Sequence, residues 1–339
     1  MTAPSVGPIP TPSSSPAPGL AIGATDLSRE GAAGRGGGWW KLRTRAAPYL
    51  FLLPFFVITA VFFVYPLIYA LVLSFHQTFG MKSRVFVGLE NFSTLLGDSV
   101  FHTALRNTIF FTVCSLLIQL PMSLGLAMLL NARRDRLKGF FRLAIFAPNL
   151  VGQVFVGILF SMLFTPRYGL FNRFMQSLVG WGIDQEWLTN PNLVMPAVVI
   201  AALWLYVGFN MVYFLAALQN VDQNLIDAAR IDGAGPWAVF RNVTLPSIAP
   251  VTVFVVVTST IGSFQLFELP YALLQQFNSN RGFGPKNSGM TVVGYLYRSG
   301  WEDGNLGMAA AVGWVLTAII LLISLVQIRV SGSTAREGR

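Results

Sequence analysis

Apolar residues in this chain collect in long runs that are separated by polar or mixed segments. A run of about 20 apolar residues can cross the roughly 30 Å hydrocarbon layer of a bilayer as a helix. The chain holds six such runs. The pattern therefore predicts six membrane-spanning helices, at about residues 48–75, 105–130, 140–165, 193–219, 248–271 and 307–329.

The segments outside these runs divide the chain into three parts. Residues 1–38 are rich in Pro, Ser, Ala and Gly and bury too little apolar surface to offset the entropy of ordering, so a disordered tail is expected. The six predicted helices form one membrane domain over residues 39–330, and residues 331–339 form a short tail. Pro and Gly within the runs are acceptable, because neighbouring helices can satisfy the freed backbone groups.

Composition supports the membrane assignment. The chain is 54% hydrophobic and only 11% charged, whereas an average soluble domain is about 25% charged. Such a chain has too little polar surface to cover a globule in water. The fold class predicted is an all-α integral membrane protein.

The basic residues indicate the orientation. With the N-terminus inside, 15 Lys and Arg residues lie on the inner side and 8 on the outer side. The inner ones cluster at the ends of the runs, as the positive-inside rule requires, so both termini are predicted to be cytoplasmic. The net charge of +9 is therefore a topology signal with anionic membrane lipid as its partner. Nucleic acid is not an expected partner.

The inner segment between the fourth and fifth runs carries the signals of two short helices. Asp222 is a good N-cap for the first helix, and Gly233 suits the left-handed position after its C-terminus. Pro236 is favourable at the first position of a second helix. Trp237 and Phe240 lie on the apolar side of that second helix. The pattern predicts a bent helix pair at a place where a simple connecting loop would suffice.

Two interpretations of this segment, residues 220–247, remain open from its composition. The first helix carries apolar groups mainly along one side, at Leu225, Ile226, Ala229 and Ile231. The pair either lies on the bilayer surface or on the chain's own helix ends, or it docks into a partner protein. Three acidic residues make it less basic than most membrane-surface helices, which favours docking: Asp222, Asp227 and Asp232.

One run in this segment resembles a known family pattern. Asp227-Ala228-Ala229, three residues, Gly233, nine residues, Val243, one residue and Leu245-Pro246 is similar to the EAA loop of binding-protein-dependent ABC importer permeases. The family has Glu and Ile where this chain has Asp227 and Val243. The resemblance implies that the loop couples to a separate ATPase, and Leu245-Pro246 is expected to turn the chain back into the membrane. The expected coupling residues are Asp227, Ala228, Ala229, Asp232, Gly233, Ala234, Trp237, Phe240, Leu245 and Pro246.

The resemblance extends over nearly the whole chain from about Ala47. Within the family the chain is similar to the larger permease of the maltose and glycerol-phosphate (carbohydrate uptake) group, in residues 48–54, 88–92, 105–108, 168–172 and 263–268. It departs from that group where the usual Gly-Gly-Pro stands as Gly282-Phe-Gly-Pro285, beyond an apparent insertion. The resemblance implies a bacterial inner-membrane location and four partners. These are a second homologous permease subunit, an ABC ATPase dimer that binds the ATP, an extracytoplasmic solute-binding protein, and a sugar or polyol substrate.

Motifs of catalysis are absent from the sequence. It contains no Gly-Lys dipeptide and so no Walker A loop, and no Gly-x-Ser-x-Gly elbow. We therefore expect neither enzymatic activity nor a cofactor of its own. His76 and His102 are far apart and Cys114 is the only cysteine, so neither a metal site nor a disulfide is expected. The alternative is a self-contained secondary transporter or channel, which would carry internal repeats and acidic residues at the membrane midplane.

Polar side chains within the spans are the candidates for a transport path. Such groups are costly in a membrane and usually face the bundle interior or a wet cavity. Amides and carboxylates bind sugar hydroxyls, although amides also hold helices together, and Glu268 has the alternative of a helix-end position at the interface. The residues expected to line the path are Asn149, Gln153, Asn210, Tyr213, Gln265 and Glu268.

Overall fold

The computed structural model describes residues 49–79, 83–132, 137–180, 184–275 and 283–337. The predicted tail of residues 1–38 lies outside these ranges. Contacts between Cα atoms divide the chain between Tyr65 and Pro66. The first unit enters the described ranges only through the start of helix α1.

The described helices, in chain order, are α1 (Tyr49–Ser74), α2 (Glu90–Gly97), α3 (Ser99–Ala132), α4 (Lys138–Leu150), α5 (Gln153–Leu163), α6 (Leu170–Val179), α7 (Pro191–Gln219), α8 (Gln223–Ile231), α9 (Pro236–Ser247), α10 (Ala249–Phe264), α11 (Glu268–Leu274), α12 (Val292–Tyr297) and α13 (Leu306–Glu337). Some helices contain or abut a π-helical stretch: Ala60–Val64 in α1, Ser115–Gln119 in α3, Phe240–Thr244 in α9 and Arg298–Glu302 after α12. A short 3₁₀ turn covers Pro285–Asn287.

Four of these helices are long and apolar enough to cross a membrane, namely α1, α3, α7 and the Leu306–Val330 part of α13. Two helix pairs meet the same criterion only together: α4 with α5, bent by 96°, and α9 with α10, bent by 70°. The six predicted spans agree with the upper limit of six crossings. The structure corrects the third and fifth, which are not continuous helices. It also extends α13 to Glu337, into the residues predicted to form a short tail.

The bend in the third span follows from its local sequence. Pro148 lies in the last turn of α4 and lacks the N–H that would continue the helical ladder. Val151 then adopts an extended conformation, with φ −83° and ψ 128°. Gly152 is also extended, with φ −61° and ψ 148°. The chain therefore leaves the helix for two residues before α5 begins.

The fifth span is interrupted twice. Pro250 lies in the first turn of α10 and cannot donate to the carbonyl of Pro246, so the helix axis bends at Ile248. The helix then ends at Phe264, and α11 starts only at Glu268. The predicted span 248–271 is thus one helix, a break and the start of another.

The described part of the chain departs from the all-α prediction at one hairpin. Strands β1 (His76–Phe79) and β2 (Ser83–Phe86) pair antiparallel. The side-chain amide of Asn91 in α2 donates to the carbonyl of Ser74 at 2.8 Å and to that of His76 at 3.0 Å. These bonds fix the first strand to the end of α1. Four-residue strands are too short to stand out in the hydrophobic pattern, and they were not predicted.

Helix α7 lies at the centre of the described core. Buried residues along its length belong to two apolar clusters, to which α3, α5 and α10 also contribute. Gly208 of α7 lies so close to α4 that a Cβ atom there would overlap the carbonyl oxygen of Ile145. Only glycine permits this approach, and it fixes the part of α7 that carries the buried side chain of Asn210.

An irregular segment, residues 283–291, precedes α12 and is called the outer segment below. The side-chain amide of Asn107 in α3 donates to the carbonyls of Asn287, Ser288 and Met290 at 3.2, 3.1 and 3.0 Å. These bonds give side-chain partners to the carbonyls of a non-helical turn, of which that of Asn287 also accepts the backbone N–H of Met290 at 3.0 Å. Helix α12 and the π stretch after it were not predicted.

Candidate functional site

A cavity of about 320 Å³ lies among helices α3, α7 and α10, with the start of α5 completing its wall. Amide, hydroxyl and aromatic side chains form most of its lining: Phe111, Ser115, Gln119, Gln153, Tyr206, Phe209, Asn210, Thr258, Ser259, Gly262, Ser263, Gln265 and Leu266. None of the described residues that line it carries a formal charge at neutral pH. A polar but uncharged lining suits a neutral polar solute.

The π-helical stretch Ser115–Gln119 shapes the wall that α3 contributes. The N–H group of Leu120 donates to the carbonyl of Ser115, five residues earlier, instead of four. Single-turn π stretches inside α-helices are frequent at functional sites. Both end residues of the stretch, Ser115 and Gln119, line the cavity and are largely buried. The deviation from α-helical geometry therefore coincides with the cavity wall.

The break between α10 and α11 shapes another part of the wall. Gln265 is the C-cap of α10, and Phe267, at φ −146° and ψ −55°, redirects the chain into α11. The carbonyl of Leu266 accepts a 2.6 Å hydrogen bond from the hydroxyl of Thr291. This bond satisfies a backbone group that the break frees, as non-helical backbone inside a membrane protein requires. Gln265 and Leu266 both line the cavity.

Three of the six predicted path residues line this cavity: Gln153, Asn210 and Gln265. The other three are not among its described lining residues. Asn149 lies in the last turn of α4, and Glu268 is the exposed first residue of α11. Tyr213 packs its ring against Phe209 and Phe254, with centroids 5.2 and 5.7 Å apart. Contact of any of the six with a substrate stays a prediction.

Sequence reasoning missed several hydroxyl groups of the cavity, namely Ser115, Thr258, Ser259 and Ser263. Hydroxyls in a helix often donate to a carbonyl four residues earlier, as Thr258 does to Phe254 at 2.8 Å, so residue type alone carries little signal. Their spacing is more informative. Ser259 and Ser263 are four residues apart and share a helix face, as do Ser115 and Gln119.

The segment after α7 forms the predicted bent helix pair. The carboxylate of Asp222 accepts a backbone N–H bond of 2.9 Å and caps α8. At the other end, the N–H of Gly233 donates to the carbonyl of Arg230 at 3.1 Å, and that of Ala234 donates to the carbonyl of Ala229 at 2.9 Å. This pair of bonds is a Schellman motif. Gly233 has a φ of 83°, in the left-handed region, as predicted.

Helix α9 then restarts with Pro236 in its first turn. It continues through the π stretch to Ser247, so Leu245 and Pro246 lie within the helix. The 70° turn between α9 and α10 comes at Ile248. The structure thus corrects the expectation that Leu245-Pro246 makes this turn, and the reason is that proline is compatible with the first turn of a helical stretch.

The apolar side chains of the segment point in two directions. Three are half-buried: Ile226, Ala229 and Phe240. Three are exposed and are called the exposed ridge below: Leu225, Ile231 and Trp237. Ile231 and Trp237 are 87% and 70% exposed. The half-buried groups Ile226 and Phe240 border a space of about 300 Å³ that Met128 of α3 also lines. The single apolar side expected for α8 is therefore divided between an inward and an outward face.

The exposed carboxylate of Asp227 interacts only locally in the described structure. Its Oδ1 accepts hydrogen bonds from Gln223 at 3.1 Å and from Arg230 at 3.3 Å, both on α8. An exposed ion pair of this kind contributes at most about 1 kcal/mol. A partner can therefore replace these bonds at little cost. Ala228 and Asp232 are exposed beside it.

The amino-acid sequence of the chain is similar to those of known transport proteins. Residues 119–332 match the family model described as binding-protein-dependent transport system inner membrane component. The chain is 40% identical over 304 residues to the arabinooligosaccharides transport system permease protein AraP of Bacillus subtilis (strain 168). The matched region covers 89% of this chain and 94% of that protein. It is 36% identical over 280 residues to the lactose transport system permease protein LacF of Rhizobium radiobacter, covering 82% and 92%.

The fold is also similar to that of a solved structure. A bacterial alginate ABC transporter, in complex with its alginate pentasaccharide-bound periplasmic protein, matches with a TM-score of 0.75 and 23% identity, covering 87% of this chain and 98% of that chain. The resemblance to binding-protein-dependent importer permeases, first indicated by the Asp227-Ala-Ala run, is confirmed. The chain belongs to the family of inner membrane components of binding-protein-dependent transport systems.

Proposed function

We propose that this chain is the permease subunit of an ATP-driven importer for a neutral sugar or oligosaccharide. In this proposal it forms half of the translocation path and couples through residues 220–247 to a separate ATPase dimer. A second homologous permease subunit completes the path, and an extracytoplasmic binding protein delivers the solute. The observation that carries the proposal is the uncharged, amide- and hydroxyl-lined cavity among α3, α7 and α10.

The chemistry of the cavity supports a sugar as the solute. Side-chain amides both donate and accept hydrogen bonds, and hydroxyls do the same, so Gln119, Asn210 and the serines match the mixed requirements of sugar hydroxyls. The ring of Tyr206 and the phenyl groups of Phe111 and Phe209 offer surfaces for the apolar face of a sugar ring. The relatives named for arabinooligosaccharides and lactose agree with this class of solute.

The coupling role rests on the exposed ridge. Two large apolar side chains, Ile231 and Trp237, project from a rigid bend fixed by the Schellman motif at Gly233. Exposed apolar groups rimmed by polar ones are typical of docking surfaces, and a short amphipathic helix commonly binds in a groove of its partner. We place this segment and both termini in the cytoplasm of a bacterium, with the chain in its inner membrane, because the basic residues cluster on that side.

A single substitution tests the path. Asn210→Leu replaces a buried amide of the cavity wall by an apolar side chain with the same branching, whereas Asn192→Leu makes the same change at an exposed position of the same helix, α7. In liposomes that contain the complete transporter and binding protein, we expect Asn210→Leu to reduce sugar uptake by about 5- to 150-fold, since an unmade hydrogen bond costs about 1–3 kcal/mol. Equal uptake by the two variants, with equal assembly, would contradict the assigned path.

The ATP requirement separates this proposal from a self-contained secondary transporter or channel. The chain is reconstituted alone in liposomes and compared with the complex that contains the ATPase. We expect sugar uptake only by the complex and only with ATP and binding protein present. Uptake by the chain alone, driven by a sugar or ion gradient, would refute the importer proposal in favour of the alternative.

A further inference from the structure

Helix α6 (Leu170–Val179) occupies the connection between α5 and α7. Six residues separate its first residue from the end of α5 at Leu163, and α7 begins at Pro191. Since α7 is long enough to cross the membrane, α6 lies at the end of α7 opposite residues 220–247. Its position at the end of a spanning segment places it at a boundary between membrane and water.

One side of α6 is fixed to the protein. The ring of Phe171 packs against Phe164 and Trp187, with centroids 4.9 and 5.2 Å apart. The buried side chain of Asn172 accepts a 2.6 Å hydrogen bond from the indole N–H of Trp187 and donates to the carbonyl of Gln185 at 3.0 Å. These contacts set the rotation of α6 about its axis and therefore determine which side faces outward.

The outward side carries an apolar stripe. Leu170, Phe174 and Leu178 follow each other at intervals of four residues, which places them along one side of the helix. They are 64%, 56% and 62% exposed. Arg173 and Gln176 are also exposed and lie on the polar side of the helix, whereas Ser177, seven residues after Leu170, borders the stripe. The outward surface of α6 therefore has an apolar part and a polar part, while its inward surface is held to the protein.

The surroundings indicate what covers this stripe. Helix α5 also exposes apolar residues, at Phe155, Leu159 and Met162, and together with α4 it is long and apolar enough to cross a membrane. The chain passes from this surface through a short turn directly into α6, so the stripe continues the apolar surface of the span. Arg173 beside the stripe is long enough to keep its charge at the level of lipid phosphates while its stem lies along apolar surface.

We propose that α6 is an interfacial helix whose stripe, Leu170, Phe174 and Leu178, inserts into the acyl-chain boundary of the bilayer, with Arg173 at the phosphate layer. Amphipathic helices that lie in the interface bury their apolar face about 5–10 Å into the boundary of headgroups and acyl chains. Through Phe171 and Asn172 the lipid contact holds the ends of α5 and α7 at the membrane surface. Both helices contribute to the cavity, through Gln153 and Asn210.

Site-directed spin labelling tests this placement. Cys114 is the only cysteine, so Cys114→Ala provides a background into which Cys is introduced singly at the stripe positions Leu170, Phe174 and Leu178. The matched control is Gln176→Cys, an exposed position on the opposite side of the same helix. The full chain, assembled in its complex in liposomes, is exposed to oxygen, which concentrates in lipid, and to a water-soluble nickel chelate.

The expected result is a reversal of accessibility along α6. The stripe labels collide frequently with oxygen and rarely with nickel, whereas the control label at Gln176 shows the opposite. High nickel accessibility at all stripe positions would place the stripe in water, and low accessibility to both reagents would place it against another protein. Either result overturns the proposal. Because the measurement reports local environment, it is independent of whether the complex transports a sugar.

Discussion

The bend at Gly233 provides the most direct test of how the coupling segment is held. Gly233 has a φ of 83° and makes the Schellman bond to Arg230. Gly235, two residues later, has an ordinary extended conformation, with φ −68° and ψ 166°. A Cβ atom at either position would meet no atom within 4 Å. Replacing each by alanine therefore isolates the backbone effect from any steric overlap.

The expected magnitude follows from this geometry. An L-residue in the left-handed helical region costs roughly 1–2 kcal/mol, so Gly233→Ala destabilises the bend by about that amount. A change of this size shifts an equilibrium by a factor of about 5–30. Gly235→Ala has no such cost. Because alanine lowers the conformational entropy of the unfolded chain, this substitution stabilises the folded segment by about 0.4–1 kcal/mol. Gly233→Asn should fall between the two, because Asn tolerates the left-handed conformation better than Ala.

The assay is the affinity of the purified ATPase for the permease in nanodiscs, with coupled ATP hydrolysis as a second readout. We expect the dissociation constant to rise by about 5- to 30-fold for Gly233→Ala and not to rise for Gly235→Ala, which lowers it by at most about fivefold. If both variants weakened binding equally, the left-handed bend would not be the feature that the partner recognises. Unchanged binding for both would refute the docking role of the bend.

The remaining predictions concern contacts that position the cavity and the outer segment. Gly208→Ala should lower the melting temperature in detergent, since overpacking costs about 1–3 kcal/mol; Gly125→Ala, with no atom within 4 Å of its Cβ, should not. Asn107→Ala removes three hydrogen bonds and should speed hydrogen exchange in the outer segment; unchanged exchange would show that the segment is held by other contacts. Tyr295→Phe removes a 2.6 Å bond to the carboxylate of Asp98 and should cost about 1.5–3 kcal/mol. Burial, then the bond to Asp98, raises the pKa of Tyr295, and the unfolded tyrosine ionises near its ordinary pKa of about 10. The difference in melting temperature from the wild type should therefore be constant from about pH 6 to 9 and shrink only above about pH 10; a decline between pH 6 and 9 would contradict this assignment.

Features set by local chemistry were predictable from the sequence. The N-cap at Asp222, the left-handed glycine at Gly233 and the first-turn proline at Pro236 all occur as expected. Each depends on the conformational preferences of a few neighbouring residues, which a single sequence contains. The existence of the long apolar helices was predictable for the same reason, because hydrophobic periodicity and length are local properties.

Features set by contacts between distant residues were not predictable. The break at Leu266 is stabilised by Thr291, 25 residues later in the chain, and the outer segment is held by Asn107, more than 170 residues earlier. The hydropathy pattern runs through these places without a signal. Likewise, whether Ile226 or Ile231 faces inward depends on what α8 packs against, and its own helical spacing does not determine this.

The failures of local prediction have a common location, and this location carries information about function. Gln153 directly follows the bend in the third span, Gln265 lies at the break after α10, and Ser115 and Gln119 bound a π stretch. All four residues line the same cavity. Regular helices would satisfy their own backbone more simply, so departures from helical geometry in a membrane need a compensating advantage. Exceptions to local rules are expected to gather at functional sites. Their convergence on one uncharged cavity is therefore an argument for the transport path that does not depend on any single lining residue.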